Sequence, residues 1–205
     1  MSNEPAAFPI VVAVTGASGA PYAVRLLQAL VSARQQVWLI VSGHGQRLLA
    51  TEVGVSTLAV LRTRVGADEW DACVTLYDDA DRGAKPASGS ARSAGMVICP
   101  CSMGTLSAIA HGSSRSLVER SADVCLKERR RLVVVPRETP LSEIHLENML
   151  RLTRAGAIVL PAAPGFYHRP EKISDLVDFI VARVLDQLGV PHSLVRRWGD
   201  PAPGT

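Results

Sequence analysis

Aromatic residues are scarce in this chain: three each of Trp, Tyr and Phe make up 4% of 205 residues. Leu, Val and Ala must then fill the interior, as they do in parallel sheets covered by helices. A surplus of either charge is missing too. The net charge of +3 is far from the basic excess of a nucleic-acid binder. The densest basic run, Lys127-Glu128-Arg129-Arg130-Arg131, reads as a solvated helix end. Cys73, Cys99, Cys101 and Cys125 show no C-x-x-C spacing, which excludes the common zinc modules, and they read as small buried apolar side chains. No metal is expected. No apolar run approaches ~18 residues, so no membrane helix is expected. No secretory leader is legible either, since the apolar run from Pro9 to Val14 stops at Thr15-Gly16. The expectation is a soluble, cytoplasmic protein.

What is present is 47% hydrophobic and 20% charged sequence, long enough for roughly 70% of the unfolded surface to be buried in one core. Apolar runs alternate with amphipathic segments. Residues 9–15, 37–41, 96–99, 132–135 and 157–160 read as strands. Residues 19–34, 46–52, 57–64 (capped by Ser56), 102–111, 116–128, 141–155 and 174–188 read as helices. Residues 66–92 read as one long irregular loop. The alternation predicts an α/β fold of three layers with a mostly parallel sheet and right-handed crossovers. No internal repeat or second domain is visible, so residues 1–205 are expected to form a single domain.

The informative segments are the strand ends. Thr15-Gly16-Ala17-Ser18-Gly19 follows the first strand, Ser42-Gly43-His44-Gly45 the second, Pro100-Cys101-Ser102-Met103-Gly104-Thr105 the one after the long loop, and Pro136-Arg137-Glu138 the most strand-like run of all. Ligands of open α/β sheets collect at strand carboxyl ends. Helix N-termini there offer N–H groups to an anion, and glycine lets backbone approach a ligand closely. The first turn lacks the third glycine of the dinucleotide fingerprint, and strand two ends in Ser42 rather than an acid, which disfavours a nicotinamide dinucleotide. Serines at these ends suit a mononucleotide phosphate or a ribityl chain, though Ser18 and Ser102 could equally be helix caps. Arg137-Glu138 at the end of a buried strand is expected to be paired or to touch a ligand, Arg137 as an anion clamp and Glu138 as its partner or as an acid/base group.

These strings, in this order, together with Ser88-Gly89-Ser90, Leu126-Lys127-Glu128-Arg129-Arg130 and Gly165-Phe166-Tyr167-His168-Arg169-Pro170, resemble the UbiX-type flavin prenyltransferases over nearly the whole chain. The resemblance implies a Rossmann/flavodoxin-like flavoprotein domain assembled into a homododecamer. It implies reduced FMN and dimethylallyl monophosphate as substrates, and prenylated FMN, used by UbiD-type decarboxylases, as product. FMN would be held by Gly16, Ala17, Ser18, Ser42, Ser102, Met103, Gly104, Thr105 and Arg137. The prenyl phosphate would be held by Ser90, Arg120, Lys127, Glu138, Tyr167 and Arg183, with Trp198 in a C-terminal tail (189–205) closing the site or touching a neighbouring subunit. Glu138, Lys127, Ser18 and Glu52 would carry the catalysis. The chain departs from the family at Ala91, where an aromatic residue usually follows Ser88-Gly89-Ser90.

Three other readings compete. An FMN-dependent cysteine decarboxylase of the same fold would carry an Asn in the strand-end motif, where this chain has Cys101-Ser102-Met103. A short-chain dehydrogenase would need Tyr-x-x-x-Lys, and neither Tyr22, Tyr77 nor Tyr167 has a Lys four residues on. A non-catalytic FMN-binding module would have no use for a second set of anion-binding residues.

Overall fold

The computed structural model describes residues 8–196. Six strands, β1 (Ile10–Val14), β2 (Val37–Val41), β3 (Val74–Tyr77), β4 (Gly95–Cys101), β5 (Leu132–Pro136) and β6 (Ile158–Val159), form one sheet in the order β3-β2-β1-β4-β5-β6. Every neighbouring pair is parallel. Eight helices accompany them: α1 (Ala20–Ser32), α2 (Gly43–Val53), α3 (Leu58–Val65), α4 (Ala67–Cys73), α5 (Met103–Ala110), α6 (Leu117–Lys127), α7 (Glu143–Arg154) and α8 (Ile173–Leu188).

The central strands are apolar throughout because helices cover both faces of the sheet. Successive side chains of β1 point to opposite faces. Ile10, Val12 and Val14 pack in one core with α1 and α8, and Val11 and Ala13 in the other with α5 and α6. Leu26, Leu27 and Leu30 of α1 are fully buried in the first core, opposite Val181, Val184 and Leu185 of α8. Arg25 and Asp178 join these two helices through an ion pair at 2.5 Å. All four cysteines are free and buried. Among the described residues no helix is long and apolar enough to cross a membrane.

The span 66–92 differs from its reading as a loop. It contains α4, β3 and a 3-10 turn at Lys85–Ala87. Helix α4 has only seven residues, with Trp70 and Cys73 as its buried anchors, too few to display a helical period. Strand β3 lies at the edge of the sheet, and its Thr75 and Leu76 face solvent. The cap of α3 is Thr57, whose Oγ1 accepts from the Val60 N–H at 3.2 Å, rather than Ser56. Helix α2 begins at Gly43, not residue 46, because Ser42 caps it. Strand β4 runs on to Cys101, which pairs with Pro136 after a register shift.

Strand order reverses between β1 and β4, which are neighbours although two strands intervene in sequence. The carboxyl ends of these strands frame a switch-point crevice. Helix α6 runs the other way. It starts where the Leu117 N–H donates to Asp79 O at 2.7 Å, beyond the end of β3, and its last residues lead into the beginning of β5. Its C-terminus therefore lies at the amino end of the sheet.

Candidate active site at the strand ends

Thr15 closes the floor of the crevice. It is buried, its N–H and Oγ1 both donate to Pro100 O (3.2 and 3.0 Å), and its Oγ1 accepts from the Ser102 N–H at 2.9 Å. The first turn is thereby locked to the end of β4. Across the crevice, Gly45 lies so close to β1 that a Cβ there would sit 2.4 Å from Val14 O. At Gly43 and Gly104, in the first turns of α2 and α5, an added Cβ would meet nothing within 4 Å. Glycine thus brings the walls together below and leaves open space above.

The N-terminus of α1 is already satisfied. Glu52, from α2, accepts from the Gly19 N–H at 2.9 Å and the Ala20 N–H at 2.8 Å. Burial works to raise its pKa. The Gly19 N–H, the Ser18 side chain, the Ala20 N–H and the Arg137 charge outweigh burial and hold the carboxyl below its ordinary value. The expectation that this helix start offers its N–H groups to an anion is corrected: a side-chain carboxylate fills it. Ser18 bonds to that carboxylate and is not a cap, since Gly19 occupies the cap position. Ser42 and Ser102 do cap, accepting from the Gly45 N–H at 3.1 Å and the Thr105 N–H at 3.2 Å. The Ser102 hydroxyl also donates to Thr105 Oγ1 at 3.0 Å.

Arg137 reaches this cluster from β5, its Nε donating to Ser18 O at 3.2 Å. Glu138 is exposed and accepts from the Thr139 N–H at 3.1 Å. Arg137 is half-buried and Glu138 exposed, and no hydrogen bond or ion pair joins them among the described residues, so of the two expectations, mutual pairing or contact with a ligand, the pairing is not found. Gly16, Ala17, Ser18, Ser42, Glu52, Ser102, Met103, Gly104, Thr105, Arg137 and Glu138 all lie at the carboxyl ends of β1, β2, β4 and β5 or on the helix packed over them.

Two further groups lie elsewhere on the chain. Tyr167 packs edge-on against Phe179 of α8, ring centroids 5.8 Å apart, and His168 stacks on Phe179 at 5.2 Å. One turn along, Arg183 lines a cavity of about 280 Å³ beside the β6 edge with Leu160, Pro161 and Phe179. At the amino end of the sheet, Lys127 pairs with Glu128 against Gly89, and the Ser88 and Ser90 hydroxyls lie 2.9 Å apart. Arg120, two turns earlier on the same face of α6, pairs with Asp123 at 2.6 Å. Among the described residues no hydrogen bond or ion pair ties Ser90, Arg120 or Lys127 to the crevice; each is bound to a near neighbour in sequence. Trp198 and the end of the tail lie outside the described residues.

Arg130 is the residue that sequence reasoning passed over. It donates to Gly89 O, to Ala91 O at 2.8 Å and to Ser93 Oγ at 3.4 Å, pinning the Ser90 loop to the end of α6. Its signal, a third basic residue in a run taken as solvated, was too common to single it out.

The chain matches the model of the Flavoprotein family over residues 1–185. It is 50% identical over 198 residues to the flavin prenyltransferase UbiX of Pseudomonas aeruginosa, covering 93% of this chain and 94% of that one. It is 48% identical to the protein of that name from Methanothermobacter thermautotrophicus, over 92% and 94%. A crystal structure of AnUbiX (PadA1) in complex with FMN and dimethylallyl pyrophosphate superimposes with a TM-score of 0.86 at 40% identity, covering 94% of this chain and 98% of that one. A dodecameric FMN-dependent UbiX-like decarboxylase from Escherichia coli O157:H7 gives 0.84 at 44% identity, over 94% and 100%.

Proposed function

The chain belongs to the UbiX flavin prenyltransferases of the Flavoprotein family, and from that premise we propose how its residues divide the work. The enzyme joins the dimethylallyl group of dimethylallyl monophosphate to reduced FMN, at N5 and C6, and the prenylated FMN serves UbiD-type decarboxylases. The flavin is a substrate here, and it supplies the nucleophilic ring atoms.

The crevice fits a flavin mononucleotide: it has open space beside Gly43 and Gly104, hydroxyls on Ser18, Ser42, Ser102 and Thr105, and one guanidinium, Arg137. With the α1 start taken by Glu52, the flavin phosphate falls to the first turns of α2 and α5 and to Arg137. Gly16 and Ala17 offer backbone to the ring, and Met103 and Gly104 shape the wall. The Ser18 hydroxyl, hydrogen-bonded to the ionised Glu52 carboxylate, keeps its proton beside the flavin, and Glu52 orients it. Glu138, exposed at the rim and free of any ion pair in the described residues, acts as the acid/base group of ring closure.

Lys127, Arg120, Ser90, Tyr167 and Arg183 stabilise the departing phosphate through preorganised donors. Their two separate groups within one chain support a pocket completed where copies meet, with the group that contains Lys127 in one subunit facing the strand ends of another. A homododecamer accommodates this, as in the E. coli neighbour. Residues 1–205 are taken as one flavin-binding domain; the role expected of Trp198 and of the end of the 189–205 tail falls outside the described residues. Four buried thiols without a disulfide suit a reducing compartment, and the cytoplasm is the inferred location.

The observation that carries this reading is the locked crevice, three strand-end turns joined by Thr15, Glu52 and Arg137. Anaerobic incubation with reduced FMN and dimethylallyl monophosphate, followed by mass spectrometry of the released flavin, tests it. A flavin heavier by one prenyl unit is expected. Unmodified flavin with release of CO2 from a carboxylated thiol substrate would instead indicate a decarboxylase.

A further inference from the structure

Arg183 is held from behind. Its Nη1 donates to Asp186 Oδ2 at 3.1 Å, one turn on along α8. The other oxygen of that carboxylate lies 3.1 Å from His192 Nε2. His192 sits just past the helix, with its side chain only 5% exposed. The Leu194 N–H donates to its Nδ1 at 3.4 Å. A ring nitrogen that accepts a hydrogen bond carries no proton, so Nε2 bears the hydrogen and donates it to Asp186.

The local fold explains how His192 gets there. Gly189, at φ 73°, ends α8 in the left-handed conformation that glycine adopts without strain. The Val190 N–H then returns to Leu185 O at 3.0 Å while its side chain enters the core. That turn folds the following residues back against the helix and brings His192 beside Asp186.

An exposed Arg–Asp pair three residues apart holds little by itself, because both side chains remain free to rotate. This pair differs in having a buried donor on the far side of the carboxylate. With Oδ1 anchored by His192, the Asp186 carboxylate is a fixed post. The bond to Oδ2 uses one of the five guanidinium N–H donors and leaves the others for a second anion.

We propose that Asp186 and His192 are positioning residues for the transferase: His192 orients the Asp186 carboxylate, and Asp186 holds the Arg183 guanidinium at the angle at which it receives the prenyl phosphate. The proposal rests on the assignment of Arg183 to that phosphate. It also ties the root of the C-terminal tail to the phosphate pocket, since the same turn that launches the tail carries His192.

The test is a cycle of variants in the full-length assembly, read as KM for dimethylallyl monophosphate, kcat, and FMN affinity by fluorescence quenching. Arg183→Ala is expected to raise KM by on the order of 100-fold, the cost of a charged hydrogen-bond donor. Asp186→Asn should raise KM about tenfold with FMN affinity unchanged, and His192→Ala by about threefold to fivefold. His192→Gln, which keeps a donor near the Nε2 position, should recover most of that loss. In the Arg183→Ala background, Asp186→Asn should add less than twofold, because the residue through which it acts is gone. If Asp186→Asn does not fold, His192→Ala and His192→Gln read the same step with both charges in place. Full additivity of the two changes, or loss of FMN affinity in step with KM, overturns the proposal. An unchanged KM in Arg183→Ala overturns the underlying assignment instead.

Discussion

Glu52 and Thr15 each tie two segments of the chain together at the crevice, one by charge and one by a hydroxyl. The Glu52 carboxylate has its folded pKa lowered by the N–H groups of Gly19 and Ala20 and by Ser18, against the opposing effect of burial. A carboxyl with a lowered folded pKa adds stability that is complete above its unfolded value and disappears as pH falls through the folded one. The wild-type melting temperature should therefore drop on acidification below the usual Glu range, and Glu52→Gln should flatten that limb while costing about 1 kcal/mol near neutrality, as for a lost helix cap. Melting curves across pH check both. Thr15→Val keeps the shape and the Thr15 N–H bond to Pro100 O but strands the Ser102 N–H, at a cost of about 1–3 kcal/mol, and it should weaken FMN binding because Ser102 is no longer held. Neither role was legible as sequence. Glu52 is distant in the chain from the turn it caps, and no local pattern shows that its side chain occupies the anion position. The serine cap at 102 was legible as one of its readings, because a cap is a contact between near neighbours in sequence; the cap at 42 was not, since the helix was expected to start at residue 46.

At the scale of elements, the end of α6 and the Ser90 loop behave as one piece. Arg130 clasps the loop through Gly89 O, Ala91 O and Ser93 Oγ, and Lys127 rests on Gly89. Arg130→Gln shortens the reach and removes the charge. It should free the loop, seen as faster amide exchange over residues 89–93, and cost about 2 kcal/mol, as for hydrogen bonds to a charged group. Unchanged exchange would mean that the clasp holds nothing. The central strands were readable as sequence because burial on both faces makes them continuous apolar runs. Strand β3 was not, since an edge strand exposed on both faces loses that signature. Helix α4 was not, since two anchors on seven residues define no period.

Across the whole molecule, the residues proposed to bind anions are divided. The strand carboxyl ends carry the flavin crevice, the β6 edge carries Tyr167 and Arg183, and the amino end of the sheet carries Ser90 and Lys127. Seven residues of α6 place Lys127 roughly 10 Å along the helix from Arg120, towards the amino end of the sheet. Sequence order gives the members of such a set without their direction, because a βα unit reverses the chain and sends α6 back to the opposite end. This division leads to the proposal that two copies build each site. Co-expression of Lys127→Ala chains with Arg137→Ala chains tests it most directly, with prenylated flavin per assembly as the readout. Each variant alone should be nearly inactive, and mixed assemblies should recover a clear fraction of wild-type activity, because some sites then pair an intact crevice with an intact Lys127. Mixed assemblies that form but stay as inactive as either parent would place both residues in one chain's site and rule out a site shared between copies.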